Sequence, residues 1–240
     1  MQQTSKFGGI AILIGTALNL TRLFPIFMNG QVNFENFPPQ TVAQVTQISL
    51  LPGWILSHVM GFVSVPLLII GFITLYREFN DQKQGHVGLA AIVFASIGML
   101  FYGAAVWIDG LLLPQTAEVV LSASAADLST AEMIQTFTHT MATTFGGLSL
   151  VSVLIGVALF GFGLSHGYEH HMIGRIGVLY GTLGLIALTI GVIDVQMHDN
   201  FMLSAGYLFG AQAWLFALAI RMIQGLEKQP QEMSKIAQPA

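Results

Sequence analysis

The stretch VPLLIIGFITL, residues 65–75, decides the fold class of this chain. It contains no charged residue, and its apolar residues run on without the alternation that a strand of a membrane barrel would show. The stretch lies inside a longer apolar segment, residues 54–76, and about 20 such residues are needed to cross a ~30 Å hydrocarbon layer as a helix. This segment therefore predicts a transmembrane helix.

The rest of the chain repeats this pattern. Only 8% of the residues are charged and 54% are hydrophobic, whereas a soluble domain has roughly 25% charged residues. The mean hydropathy of +0.71 agrees with this. Six apolar segments predict membrane spans: residues 7–27, 54–76, 87–113, 133–164, 173–193 and 201–223. We therefore predict an all-α integral membrane protein, a six-transmembrane-helix bundle in residues 1–225, with a polar, disordered tail in residues 226–240.

Basic residues predict the orientation of the bundle, because short cytoplasmic loops accumulate Lys and Arg. With six spans, seven of the eight basic residues fall on one side: Lys6, Arg77, Lys83, Arg175, Arg221, Lys228 and Lys235. The opposite loops, residues 28–53 and 114–132, contain no basic residue, and Arg22 is the exception. Both termini are therefore predicted to be cytoplasmic. In the first outer loop we expect the stretch NFENFPPQ, residues 33–40, to be irregular, and in the second loop we expect a short helix on the membrane surface.

Composition also limits the partners and the chemistry. The chain has no cysteine, which removes disulfides and thiolate catalysis and leaves His, Asp, Glu and Met as metal ligands. Its net charge of -4 and the lack of a basic cluster argue against nucleic acid as a partner. It contains no G-x-S-x-G, H-E-x-x-H or P-loop pattern. The predicted surroundings are the lipid bilayer of the cell membrane, which in a bacterium is the inner membrane.

Polar residues gather near one end of the predicted spans. His58 lies 19 residues (77 − 58) from Arg77, and Asp194 lies 19 residues (194 − 175) from Arg175. Both are therefore about 28 Å from the cytoplasmic end, at ~1.5 Å per residue. The same outer region receives further polar residues: Asn19, Arg22, Asp109, His139, His198 and Asn200. Because ionisable residues in spans usually face the bundle interior and mark sites, the sequence predicts a His/Asp pocket near the non-cytoplasmic face.

Two kinds of cofactor suit this pocket. His58 and His139 lie at matched depth, and Gly146 with Gly147 makes a wall of little bulk, which predicts axial ligation of haem b. A divalent metal would instead take its ligands from a wider set: His58, Asp109, His139, Asp194 and His198. Arg22 is predicted to be the counter-ion of an aspartate. Either cofactor would support redox or hydrolytic chemistry, although no motif identifies an enzyme.

Other functions stay open beside cofactor chemistry. The same His and Asp groups suit a transporter, a proton relay or a receptor for a small apolar or amphipathic ligand. A through-pathway needs polar groups at several depths, whereas this sequence supplies them mainly at one end. A non-catalytic accessory subunit, in which the cluster only stabilises the fold, is the remaining alternative. The role of the cytoplasmic cluster of His166, His170 and His171 also stays open, because it implies no defined ligand geometry.

Small and aromatic residues predict how the spans pack. Span 5 carries a glycine stripe that favours close helix approach: Gly174, Gly177, Gly181, Gly184 and Gly191. We therefore expect span 5 to lie centrally, and glycine-rich faces to offer contacts for an oligomer. Trp54 and Trp107 are predicted to be anchors at the outer membrane interface.

An internal duplication is suggested by spans 2–3 and 4–5. Each pair places a His before a basic loop and an Asp after it, as HVM with WIDG and as HTM with VIDV. The His-to-Asp separations are 51 residues (109 − 58) and 55 residues (194 − 139). Parallel repeats of this kind often build a site at their junction. A duplicated two-helix unit would pair His58 with His139 across a pseudo-twofold axis.

Overall fold

The computed structural model describes residues 2–28, 41–80, 84–167, 171–193 and 201–225. Helix covers 93% of it and no described residue lies in a strand, which confirms the all-α prediction. Four helical runs are long and apolar enough to cross a membrane: Trp54–Asn80, Gly85–Ser122, Leu128–His166 and His171–Ile190. The chain is therefore a helical, apolar membrane protein. The count of six spans and the cytoplasmic position of both termini stay predictions.

The helices are numbered in chain order. They are α1 (Gln2–Leu20), a 3₁₀ turn (Thr21–Leu23), α2 (Phe24–Met28), α3 (Val42–Ser49), α4 (Trp54–Asn80), α5 (Gly85–Trp107), a π-helical turn (Ile108–Leu112), α6 (Leu113–Ser122), α7 (Leu128–Gly167), α8 (His171–Ile193) and α9 (Phe201–Gln224).

The two loops that are predicted to face outward contain helix in their described residues. Helix α3 begins with a reciprocal capping box, in which Thr41 and Gln44 each satisfy the other's backbone N–H. It is held by a buried hydrogen bond of 3.1 Å from Thr46 Oγ1 to Gln135 Oε1 of α7. The stretch predicted to be irregular, residues 33–40, lies outside the described residues. The second loop holds no separate surface helix in its described residues, because α6 continues α5 through the π-helical turn and packs against α3 and α7.

The long helices form a ring in which each packs on its neighbour. Contacts run from α1 to α4, α5, α7 and α8, while α9 packs mainly on α1 and more lightly on α8. The core between them is apolar and is centred on Phe72, Phe79 and Phe160, whose ring centroids are 5.6 Å apart for Phe72–Phe160 and 5.8 Å apart for Phe79–Phe160. This core fills the half of the bundle that contains the end of α4 and the start of α5.

Helix α8 lies at the edge of the bundle, so the prediction that it is central is wrong. Its glycines mainly serve one contact, the seam with α7. A Cβ added at Gly181 would lie 2.6 Å from the Leu154 carbonyl oxygen, and one at Gly161 would lie 2.5 Å from the Val178 nitrogen. The opposite face of α8 exposes large apolar side chains: Met172, Ile176, Leu179, Leu183, Ile186 and Ile190. Small residues thus provide α8 with one close partner instead of many.

Candidate functional site

The buried His58 and the half-buried Asp109 form the centre of the candidate site. His58 lies in the second turn of α4 and is only 2% exposed. Asp109 lies in the π-helical turn after α5, and its Oδ2 is 3.0 Å from His58 Nε2. The two residues, which the sequence predicts at the same end of the bundle, are therefore in direct contact.

The π-helical turn presents Asp109 through its backbone as well as its side chain. In this turn the Leu113 N–H donates to the Ile108 carbonyl, five residues back, and such turns are common at functional sites. The Asp109 carbonyl accepts a hydrogen bond of 2.8 Å from Trp54 Nε1. Trp54 also packs its ring 4.4 Å from the His58 ring and is only 6% exposed. Its prediction as a membrane-interface anchor is therefore wrong, whereas Trp107 is 49% exposed.

Arg22 reaches the same carboxylate from the 3₁₀ turn that ends α1. Its Nη2 is 3.5 Å from Asp109 Oδ2, and its Nη1 donates to the Tyr102 hydroxyl at 2.9 Å. The guanidinium carbon also lies 5.2 Å from the centre of the Tyr102 ring. The Tyr102 hydroxyl in turn donates to Asn19 Oδ1. Arg22 is thus placed where a counter-ion of Asp109 would be.

Two glycines make these contacts sterically possible. A Cβ at Gly61 of α4 would lie 2.7 Å from Arg22 Cδ, so only glycine lets the arginine side chain cross α4 there. A Cβ at Gly110 would overlap the Cβ of His58, so glycine also lets the π-helical turn approach α4. The sequence contains no signal for either position, since both lie among 26 glycines.

The contacts of His58 fit two protonation states of the central pair. His58 Nδ1 is 2.8 Å from the Trp54 carbonyl oxygen and 3.3 Å from Ser57 Oγ. If Nδ1 donates to the carbonyl, the 3.0 Å contact of Nε2 with Asp109 needs a second hydrogen, either on the imidazole or on the carboxyl group. If Nδ1 instead accepts from Ser57, a neutral imidazole donates from Nε2 to the carboxylate. The two states differ by one proton.

His139 is the other predicted site residue in the described part of the chain. It lies on α7, half-buried, and interacts electrostatically with Asp109. Asp194 and His198 lie outside the described residues, and so does the proposed second His-to-Asp contact of the duplication. Among the residues that the structure describes, no group of three or more His, Cys, Asp or Glu is arranged to hold a metal.

The described residues do not fit a haem held between His58 and His139. Both ring nitrogens of His58 already have partners, namely Asp109 and the Trp54 carbonyl, so neither is free to bind iron. A small cavity of about 50 Å³ adjoins His58 between α4 and α5. Pockets for drug-sized ligands are about 300–1,000 Å³, so this cavity suits a water molecule or a methyl-sized group.

The histidines that are predicted to be cytoplasmic do not form a comparable cluster in the part of the chain that the structure describes. His166 is exposed at the end of α7, packs on the Phe162 ring at 4.4 Å and makes local contacts with Ser165 and the Phe162 carbonyl. His171 is half-buried at the start of α8, and His170 lies outside the described residues.

Comparison of the chain with protein-family models, with curated proteins and with solved structures gives no match. The class of protein therefore rests on the helices and the site: a helical membrane protein with a buried, charged hydrogen-bond network at one end of its bundle.

Proposed function

We propose that this is a multi-pass membrane protein that binds and releases a proton at the His58–Asp109 pair, as a proton relay or a proton-coupled carrier. The observation that supports this most is the set of contacts made by His58, because Nε2 faces the Asp109 carboxylate while Nδ1 faces both the Trp54 carbonyl and the Ser57 hydroxyl, so the ring has partners with and without one additional proton. Ionisable groups in membrane helices are costly, and proton pathways are a common reason for them. Histidine also changes its charge near neutral pH.

Release of the proton would change the contacts between helices. With the proton, the imidazolium of His58 and the guanidinium of Arg22 both face the Asp109 carboxylate, and Tyr102 and His139 complete the surroundings from α5 and α7. Without it, His58 either turns the lone pair of Nε2 toward the carboxylate, which is repulsive, or keeps the Nε2 hydrogen and gives up its donation to the Trp54 carbonyl. Either change alters how the start of α4 is held against the π-helical turn, so proton binding would be coupled to the packing of α4 against α5.

The finer features of the proposal come from the sequence. We infer six spans with both termini in the cytoplasm, as the basic residues indicate, in the inner membrane if the host is a bacterium. The pair would then take up protons from the non-cytoplasmic side. The small cavity beside His58 leaves room for the end of an apolar ligand. The exposed apolar face of α8 could pack against a second copy of the chain.

Infrared difference spectroscopy of the purified protein during a pH titration tests the proposal. We expect the imidazole bands of His58 and the carboxyl bands of Asp109 to change together in one transition. His58→Gln and Asp109→Asn should each remove the whole transition, whereas the exposed His166→Gln control should keep it. Independent changes of the two groups would refute a shared proton.

An absorption spectrum with elemental analysis of the same preparation distinguishes a cofactor-binding site from the proposed proton site. A Soret band, or stoichiometric metal, that is lost in a His58→Ala and His139→Ala double variant would favour the haem or metal site instead.

A further inference from the structure

A facing pair of polar side chains lies deeper in the bundle, between α1 and α9. These helices are antiparallel, since Ser5 Oγ donates to the Met222 carbonyl at 3.4 Å and a Cβ at Gly9 would lie 2.8 Å from the Ala219 oxygen. Thr16 is seven residues after Gly9, and Gln212 is seven residues before Ala219. Seven residues are about two helical turns, so Thr16 and Gln212 face each other across the same interface.

Both side chains are buried without hydrogen-bond partners. Thr16 is 0% exposed and Gln212 is 6% exposed, and Thr16 Oγ1 and Gln212 Oε1 have no partner among the described residues. A buried polar group without a partner is destabilising in a protein interior and more so in hydrocarbon. Such groups in a native fold usually mark a bound water or ion.

The hydrogen bonding of Thr16 is a second indication that a molecule is bound there. A helical threonine normally satisfies its hydroxyl on its own backbone, four residues back. Many threonines of this chain do so: Thr46, Thr74, Thr136, Thr138, Thr140, Thr143 and Thr189. Thr16 makes no such bond within the described part of the chain.

The pair lies at the middle of the bundle and in line with the proton site. Next to Thr16, a Cβ at Gly15 would lie 3.0 Å from Leu68 Cγ, which is halfway along α4. One turn further along α1 comes Asn19, which accepts from Tyr102, and a further turn brings Arg22. The polar residues of α1 therefore lead from the Asp109 network toward the centre of an otherwise apolar core.

We propose that a water molecule binds between Thr16 and Gln212. It would donate to Gln212 Oε1 and to Thr16 Oγ1, which supplies both atoms with the partners they lack. This inference rests in part on the proposed function: if His58 and Asp109 exchange a proton, the water extends their network to half the depth of the bundle and gives that proton a path inward.

Radiolytic hydroxyl-radical footprinting of the full-length protein in a lipid nanodisc tests the water site directly, because X-rays generate radicals from bound water. We expect labelling of the buried neighbours Ile12 and Leu215, although neither is exposed to solvent. The double variant Thr16→Val with Gln212→Leu should lose this labelling and remain folded, since it puts apolar groups into an apolar core. Thr16→Ser keeps the hydroxyl and should keep the labelling.

Thr74→Val is the matched control, because Thr74 is also buried in a helix but bonds to the Ile70 carbonyl at 2.9 Å. It should leave labelling of Ile12 and Leu215 unchanged. Absence of labelling in the wild type, or equal labelling in the double variant, would overturn the water site.

The infrared titration separates this inference from the proposed function. In the double variant we expect the His58–Asp109 transition to persist but to follow a pH jump more slowly than in the wild type. An unchanged rate would refute the path while the proton site stands. Persistent labelling without any coupled titration would instead leave the water site in place and remove the proton function.

Discussion

The two ends of the bundle are held together by different forces, although α4 runs through both. At one end, Arg22, His58 and Asp109 make directional contacts, and the side chains of Arg22 and Asp109 keep 25% and 23% of their surface exposed. At the other end, Phe79 and Phe160 are fully buried in a core without charge. Partial exposure lowers the cost of charge at the polar end, whereas the hydrophobic cluster around Phe160 has no charged member. Charge is therefore tolerated in this bundle where an ionised group still reaches water or a partner.

The largest loss of stability is expected at the apolar end. Phe160→Ala should lower the free energy of unfolding by about 3–5 kcal/mol, because the residue packs against Phe72 and Phe79 and leaves a cavity. Phe162→Ala is the matched control, since Phe162 is 48% exposed on the same helix. Steric-trapping or reversible denaturation measurements give both values. Equal losses for the two variants would show that the phenylalanine core does not dominate that end.

The next effect is expected in the charged network. Asp109→Ala should cost about 2–4 kcal/mol, less than a fully buried pair, because Arg22 and His58 lose their partner but Arg22 keeps 25% of its side-chain surface exposed to water. Arg22→Met in the Asp109→Ala background should then add little, which a double-mutant cycle measures. Asp127→Ala, at the exposed turn before α7, serves as control. Full additivity of the Arg22 and Asp109 effects would contradict a shared network.

Two glycine-to-alanine substitutions, one at the polar end and one on α7, are expected to change stability by smaller amounts and in opposite directions. Gly110→Ala should destabilise by about 1–3 kcal/mol, because its Cβ would collide with His58 and push the π-helical turn away. Gly146→Ala on α7 should instead be neutral or stabilising by up to about 1 kcal/mol, since its Cβ meets nothing within 4 Å. Thermal unfolding in one detergent compares them. Similar behaviour of the two variants would argue against the close approach at Gly110.

The smallest effect is spectroscopic. Because the Trp54 ring lies 4.4 Å from His58, a protonated imidazole should quench its fluorescence. We therefore expect emission to rise with pH as the shared proton leaves the pair. His58→Gln should remove this rise, and Trp54→Phe should leave only the pH-independent emission of Trp107 and Trp214. A rise that survives His58→Gln would come from another group and count against the proposed titration.

Depth along a helix can be predicted from the sequence, but rotation about the helix axis cannot. A constant rise per residue is sufficient to place Arg22, His58 and Asp109 at one level of the bundle. It does not single out Tyr102, although this residue lies seven residues before Asp109 and so shares its face of α5. The rise per residue also predicts Trp54 at the membrane interface, whereas the structure buries it. Burial depends on which face of a helix packs against its neighbours.

What the sequence determined by itself is the class of fold and the composition of the polar end: apolar runs long enough for membrane helices, and few ionisable residues gathered at one depth. Only the tertiary structure decided which of those residues touch. The 3₁₀ turn aims Arg22 across Gly61, the π-helical turn aims Asp109 at His58, and α8 lies at the edge. The physical reason is that span formation depends on local hydrophobicity, whereas a hydrogen bond between helices depends on rotation and approach, which distant residues set together.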